Sequence, residues 1–227
     1  MKETVKKKII AEIDSISGAN SPYEVFSDWI RICSLSICNS VHMIHSEVWQ
    51  QRERDYIETI RRYPEGTEYR FAGMFCMLGD LLTEEMTDAL GEIYMEAGMG
   101  SKTAGQFFTP FHLSELTAKM VISDSIQSFK AGMTKLITLT EPSCGGGGMI
   151  IAAAKILKDE GINYQRYLDV VAQDLDWKGV YMTYLQCSLL GIKAICVQGD
   201  TLKEPYDPQR TEPRRIMRTP AKMGALI

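Results

Sequence analysis

The sequence predicts an α/β fold in which a helical N-terminal region precedes a parallel sheet. Three observations carry the prediction. Short apolar runs alternate with helix-length segments only after Gly105; the runs are rich in Val, Ile, Leu and Thr; and the first run opens into four consecutive glycines. Brief apolar runs bounded by turn residues are the mark of parallel strands buried on both faces. Before Gly98 the apolar residues recur instead at three- and four-residue steps, the period of a helix face.

In chain order, Phe26, Trp29, Ile30, Cys33, Ile37, Val41 and Ile44 share one face of a first helix, with Ser21-Pro22 as its start signal and Phe26 and Trp29 in the core. A second helix runs from about Arg52 to Tyr63 and stops at Pro64-Glu65-Gly66, and Tyr69 to Ala97, rich in Met, Leu and Phe, holds two more. Thr109 as N-cap and Pro110 at the first helical position open a further helix through Leu113 to Val121. The strands are then Leu136–Thr140, Leu168–Gln173 and Ala194–Gln198, and the crossover helices Met149–Glu160 and Trp177–Leu190. Gly161 and Gly191 follow those helices where a left-handed residue is wanted. Right-handed crossovers make this a three-stranded parallel sheet. The expected domains are residues 1–98, helical; 99–202, α/β; and 203–227, a basic tail with Arg210, Arg214, Arg215, Arg218 and Lys222 and no assigned regular structure.

Composition narrows the function classes. The 227 residues are 45% hydrophobic and 24% charged, as in an ordinary globular protein large enough to bury a core. A net charge of -4 gives no whole-molecule attraction for DNA, so nucleic-acid contact has to come from a local basic patch. No apolar run approaches the ~18 residues of a membrane span. Met1 to Lys8 is charged and leads into no signal core. The six cysteines show no C-x-x-C pair and no zinc-ligand spacing, which fits a reducing cytoplasm. His42 and His45 stand three apart on the first helix without a third ligand, so no metal site is assigned.

The chemistry centres on Glu141-Pro142-Ser143-Cys144-Gly145-Gly146-Gly147-Gly148, between the first strand and a helix. Strand, glycine loop and helix form a general nucleotide-binding arrangement. The dinucleotide fingerprint needs glycine at position 150, which is Ile150, and no P-loop Gly-Lys-Ser/Thr is present. Glu-Pro-x-x-Gly-x-Gly, with Gly145 and Gly147, suits a cofactor without a pyrophosphate, where Glu141 accepts from an ammonium group. Asp174 ends the second strand, where a carboxylate receives ribose hydroxyls, while Asp176 caps the next helix. In Gly199-Asp200-Thr201-Leu202, Asp200 accepts from an adenine amino group and Leu202 lies against the ring, with a plain turn as the alternative. Gln106-Phe107-Phe108-Thr109-Pro110-Phe111 leads into a helix whose positive end can face a carboxylate.

In this order the motifs resemble the modification subunit of type I restriction systems, within the N6-adenine DNA methyltransferases. The resemblance runs over about residues 85 to 205 and includes Asp88-x-Leu90-Gly91-x-Ile93-Tyr94. It implies a partial class I methyltransferase (Rossmann-like) sheet and S-adenosyl-L-methionine as cofactor. It further implies that Gln106 to Phe111 and Ser143, Cys144 and Gly145 hold the methionine end, Asp174 the ribose, and Asp200 and Leu202 the adenine. DNA is the implied partner.

The family's Asn/Asp/Ser-Pro-Pro-aromatic clamp for a flipped adenine is not found in these residues; the nearest candidate is Thr219-Pro220-Ala221. A chain that binds cofactor and does not methylate alone is therefore expected. The alternative is a non-enzymatic DNA- or protein-binding module of a mobile element or phage. Family sheets run in the order 3-2-1-4-5-7-6, which leaves the first strand here at an edge. The expectation is that the basic tail covers it, with self-association or a partner chain.

Overall fold

The computed structural model describes residues 2–100 and 108–225. The chain divides into two compact units, one running to Glu85 and resuming at Ala89–Phe108, the other made of Met86–Asp88 with Thr109 onward.

The first unit holds α1 (Lys2–Ile16), α2 (Pro22–Ser40), α3 (Glu47–Ile60), α4 (Thr67–Glu84) and α5 (Ala89–Glu96). A capping box starts α2: the Ser21 side chain accepts from Glu24 N–H, and Glu24 accepts from Ser21 N–H. Phe26 and Trp29 are fully buried, and Trp29 Nε1 donates to the Phe71 carbonyl at 3.1 Å. Lys6, on α1, is 5% exposed and is paired with Glu3, Glu92 and Glu96, which lets an ammonium sit against the core.

α2 ends sooner than the apolar period suggests. Trp49 Nε1 takes the Asn39 carbonyl at 3.2 Å, and Asn39 Nδ2 reaches Trp49 O and Glu53. That clasp to α3 leaves Val41 as the C-cap and Ile44 80% exposed. His42 and His45 therefore lie beyond the helix, with His45 stacked on Trp49 at 3.8 Å. α3 likewise starts ahead of the expected Arg52, because Ser46 caps it by accepting from Trp49 N–H.

The second unit holds α6 (Phe111–Lys130), β1 (Ile137–Glu141), α7 (Gly148–Asp159), the short α8 (Tyr164–Tyr167), β2 (Leu168–Asp174), α9 (Trp177–Leu189), β3 (Lys193–Gln198) and β4 (Ile216–Arg218). β1, β2 and β3 pair in parallel in chain order, Leu139 opposite Val170 and Val170 opposite Ala194. Sequential order with right-handed crossovers puts α7 and α9 on one face. Ile137, Val170, Ala172, Ala194 and Cys196 are buried beneath them. Gly161 and Gly191 follow α7 and α9 at φ +74° and +68°, as their sequence positions predict. α6 begins at Phe111, not at Pro110: Pro110 has ψ 135°, outside the helical range, and Thr109 makes no cap bond.

The tail requires the largest correction. It is ordered and belongs to this unit: β4 pairs antiparallel with β3, Cys196 opposite Met217. It closes the β3 side of the sheet, not the β1 edge. It also crosses the face opposite α7 and α9, where Gln173 bonds Glu204 O and Tyr206 N–H and Lys222 pairs with Asp169. Three of its arginines are engaged with acids, Arg210 with Asp207, Arg214 with Glu212 and Arg215 with Glu204.

Candidate cofactor site

A parallel sheet presents its loops at the carboxyl ends of its strands, where ligands of such folds lie. Here three loops are tied together at that end. After β1, Cys144 N–H donates to Gln173 O at 2.9 Å and Gly145 N–H to Asp174 Oδ2 at 2.8 Å. After β3, Gly199 N–H donates to Asp174 O at 2.8 Å, and Thr201 Oγ1 donates to Pro142 O at 2.7 Å. Glu141, Ser143, Gly145, Asp174 and Asp200 are thus gathered around one sheet end.

The four glycines serve different ends. Gly145 and Gly147 take φ +50° and +91°, a region that penalises any Cβ, and Gly147 turns the chain into α7. Gly146 is held without a side chain by what lies behind the loop, and Gly148 stands close to the same group. A Cβ on Gly146 would stand 2.5 Å from Asp88 Oδ2, and one on Gly148 3.3 Å from the same atom. Gln186 Nε2, on α9, donates to Asp88 Oδ1 at 2.8 Å and to Gly146 O at 2.7 Å, and Thr183 Oγ1 donates to Gly145 O at 2.9 Å. Sequence reasoning missed Thr183 and Gln186 and gave Asp88 no role. The available signal was polarity within an apolar helix, since Thr183 and Gln186 are completely buried.

Asp174 accepts from Gly145 N–H through one oxygen and from Asp176 N–H through the other at 2.9 Å. Its carboxyl carbon would lie 2.8 Å from a Cβ on Gly179, so the start of α9 is shaped to receive it. Asp176 caps α9 by accepting from Lys178 N–H at 3.0 Å. Glu141 accepts from Ser143 N–H at 3.2 Å. Burial would raise the Asp200 carboxyl, but Lys203 and the N–H groups of Leu202 and Lys203 outweigh it and hold it below the ordinary value.

The remaining expected site residues have surroundings of their own. Cys144 is buried, and desolvation pushes its thiol well above the usual range, so its side chain faces the interior. Gly147 packs on Thr183. Leu202 is 96% exposed. Phe108 packs edge-to-face on Tyr94 at 5.1 Å within the first unit. Thr109 and Pro110 are exposed ahead of Phe111 and α6, while Gln106 and Phe107 lie outside the described residues. Thr219-Pro220 is no base clamp. The Thr219 hydroxyl, fully buried, donates to Ile192 O at 2.7 Å and accepts from Ala194 N–H at 3.0 Å, at the opposite end of β3.

Comparison with known proteins adds two findings. A sequence model of the family described as N-6 DNA methylase matches residues 85–221, more than half of the chain. Among solved structures, the chain is similar at 10% identity and a TM-score of 0.49 to one from Listeria monocytogenes described as a class I S-adenosylmethionine-dependent methyltransferase. The match covers 88% of this chain and 54% of that one, so the chain spans about half its length. No curated protein matches the sequence.

Proposed function

Because the chain belongs to the N-6 DNA methylase family, we propose that its second unit is the S-adenosylmethionine-binding half of an adenine-N6 DNA methyltransferase of restriction-modification type. One observation carries the reading: Gly145 N–H donates to Asp174 Oδ2 at 2.8 Å, which holds a side-chain-free loop against a strand-tip carboxylate.

The residues fit the cofactor chemically. S-adenosylmethionine supplies a sulfonium methyl group, and its remaining atoms offer an ammonium, two ribose hydroxyls and an adenine amino group. A carboxylate has about four lone-pair sites, so Asp174 has acceptor capacity left for the hydroxyls after its two backbone bonds. Glu141 engages one oxygen with Ser143 and keeps the other for the ammonium. Asp200, held ionised, is assigned to the adenine amino group, and the exposed Leu202 to the ring face. Gln106 to Phe111 are assigned to the methionine end by their order in the sequence alone.

We further infer that this chain alone does not methylate. Its 227 residues contain no Pro-Pro pair, and Thr219-Pro220 serves the far end of the sheet. Without a clamp the target base loses a positioning contribution of ~7 kcal/mol or more. DNA is the proposed substrate of the assembly the chain serves, directly or through a complex. The proposed setting is the cytoplasm, where the free thiols stay reduced; among the described residues no helix is long and apolar enough to cross a membrane. The rival reading, a DNA-binding module without cofactor, draws on the solvent-exposed Arg210 and Arg214, yet both are ion-paired with acids.

Calorimetric titration with S-adenosylmethionine and S-adenosylhomocysteine, with ATP and NAD as controls, tests the assignment. Saturable heat is expected from the first pair only. No heat from them at millimolar concentration overturns it. Methyl transfer to duplex DNA by the chain alone would overturn the inactivity.

A further inference from the structure

The corner between α2 and α3 holds a cleft of about 390 Å³, lined by Asn39, His42, His45, Trp49, Glu53 and Tyr56 with two serines of α2. It lies wholly in the first unit and does not rest on the cofactor reading. The clasp that ends α2 also fixes what the cleft presents. Asn39 Nδ2 donates to Trp49 O at 3.1 Å and to Glu53 Oε1 at 2.8 Å. A reversed amide would set oxygen against both acceptors, so the amide has one orientation. Asn39 is 6% exposed, and its buried Oδ1 has no hydrogen-bond partner among the described residues. A buried acceptor left in that state is costly. Glu53 accepts from Asn39 through Oε1, which leaves Oε2 for another donor. His42 Nδ1 lies 2.6 Å from the Cys38 carbonyl and so carries the proton there, which makes Nε2 the acceptor of the neutral ring. Trp49 and His45 stack at 3.8 Å and 4°, an aromatic wall.

Among the described residues, no lysine or arginine lines the cleft, and no group of three His, Cys, Asp or Glu is placed to hold a metal ion. Acceptors, a carboxylate and ring faces, with no cation built in, complement an organic cation. Its N–H donors suit the oxygens, and its charge suits both Glu53 and the indole face. We propose that this cleft binds the guanidinium or ammonium group of an organic cation, with Glu53 Oε2 and Asn39 Oδ1 as acceptors and the Trp49 ring as wall. That group is carried by free polyamines and by arginine or lysine side chains of other proteins.

The test is a titration of the full chain, without cofactor, with agmatine, spermidine and the amides of Nα-acetylarginine and Nα-acetyllysine. It is followed by NMR through the indole N–H signals. The Trp49 indole, bonded to Asn39 O at 3.2 Å, is the reporter, and Trp29 and Trp177 are internal controls. A saturable shift of the Trp49 signal is expected below roughly 10 mM cation, and none with Nα-acetylglutamate or Nα-acetylglutamine amide. The tighter-binding set identifies the source, free amine or partner side chain. Glu53→Gln keeps an acceptor for Asn39 and removes the charge, so binding is expected to weaken about tenfold or more. Glu47→Gln, the same change on an exposed carboxylate of α3, is expected to leave binding unchanged. Tyr56→Phe, which loses only a hydroxyl, is a milder second variant with severalfold weaker binding expected. Thermal melts of all three check folding. An unmoved Trp49 signal with every cation overturns the proposal. So does equal binding by Glu53→Gln and wild type, or an equal response to the uncharged amide.

Discussion

Gln186 reaches Asp88 at 2.8 Å and the Gly146 carbonyl at 2.7 Å, so one buried amide joins the glycine loop to a carboxylate that lies 98 positions before that amide in sequence. The loop is held from behind by the protein's own polar groups. That support fixes where Gly145 presents its N–H, and it makes the loop sensitive to changes that touch no ligand.

Gly146→Ala tests the support. The added methyl would meet Asp88 Oδ2 at 2.5 Å, so the buried Asp88 side chain or the loop must shift. Overpacking of this kind costs about 1–3 kcal/mol. Urea denaturation is expected to show a loss in that range, with part of it recovered in Gly146→Ala/Asp88→Ala. A variant as stable as the wild type would mean that the loop is not packed against Asp88.

The thiols predict an alkaline limit to stability. Burial pushes Cys33 and Cys187 up to about 12, with the neighbouring Cys76 and Asp88 respectively adding to the shift. Folded values above unfolded ones mean that the folded chain keeps protons the unfolded chain gives up. Their contribution is complete below the unfolded thiol value of ~8.5 and is lost as pH rises from there toward the folded values. The urea midpoint should therefore fall between about pH 8.5 and 10.5. In the native protein near neutral pH, a thiol reagent should label the exposed Cys76 and leave the five buried cysteines unreacted until denaturant is added. Rapid labelling of the buried set would contradict the packing.

Thr219→Val tests whether the tail is structural. The substitution keeps the volume and removes a buried hydroxyl that bonds Ile192 O and Ala194 N–H. The expected cost is about 1–3 kcal/mol by urea denaturation. Cofactor affinity should not change, because Thr219 sits at the amino end of β3 and the loops sit at its carboxyl end. An unchanged stability would mean that the last residues are not anchored as described.

The sheet was legible because its strands are apolar, brief and bounded by turn residues. Leu168 and Ala194 are buried in strands as their pattern requires, and Asp176, Gly161 and Gly191 sit where helix-end chemistry puts them. The site was legible in part. Glycine and carboxylate positions at strand ends follow from local sequence, but the direction of a side chain depends on neighbours far along the chain. Thus Cys144 points inward, and Asp88 and Gln186 meet only after folding. The tail was illegible for the same reason: Ile216–Arg218 is too short to show a period, and it becomes a strand because β3 offers it an edge. α2 shows the converse. Its apolar period runs on to Ile44, but Trp49 claims the Asn39 carbonyl and the helix stops.

The most direct test is the dissociation constant for S-adenosylhomocysteine of the wild type, Asp174→Ala and the control Asp207→Ala, each shown by circular dichroism to be folded. Losing charge-assisted bonds worth about 1.5–3 kcal/mol predicts roughly ten- to a hundredfold weaker binding for Asp174→Ala, and no change for Asp207→Ala. Equal affinity in Asp174→Ala and wild type would contradict the assignment of the second strand tip to the ribose, and with it the site.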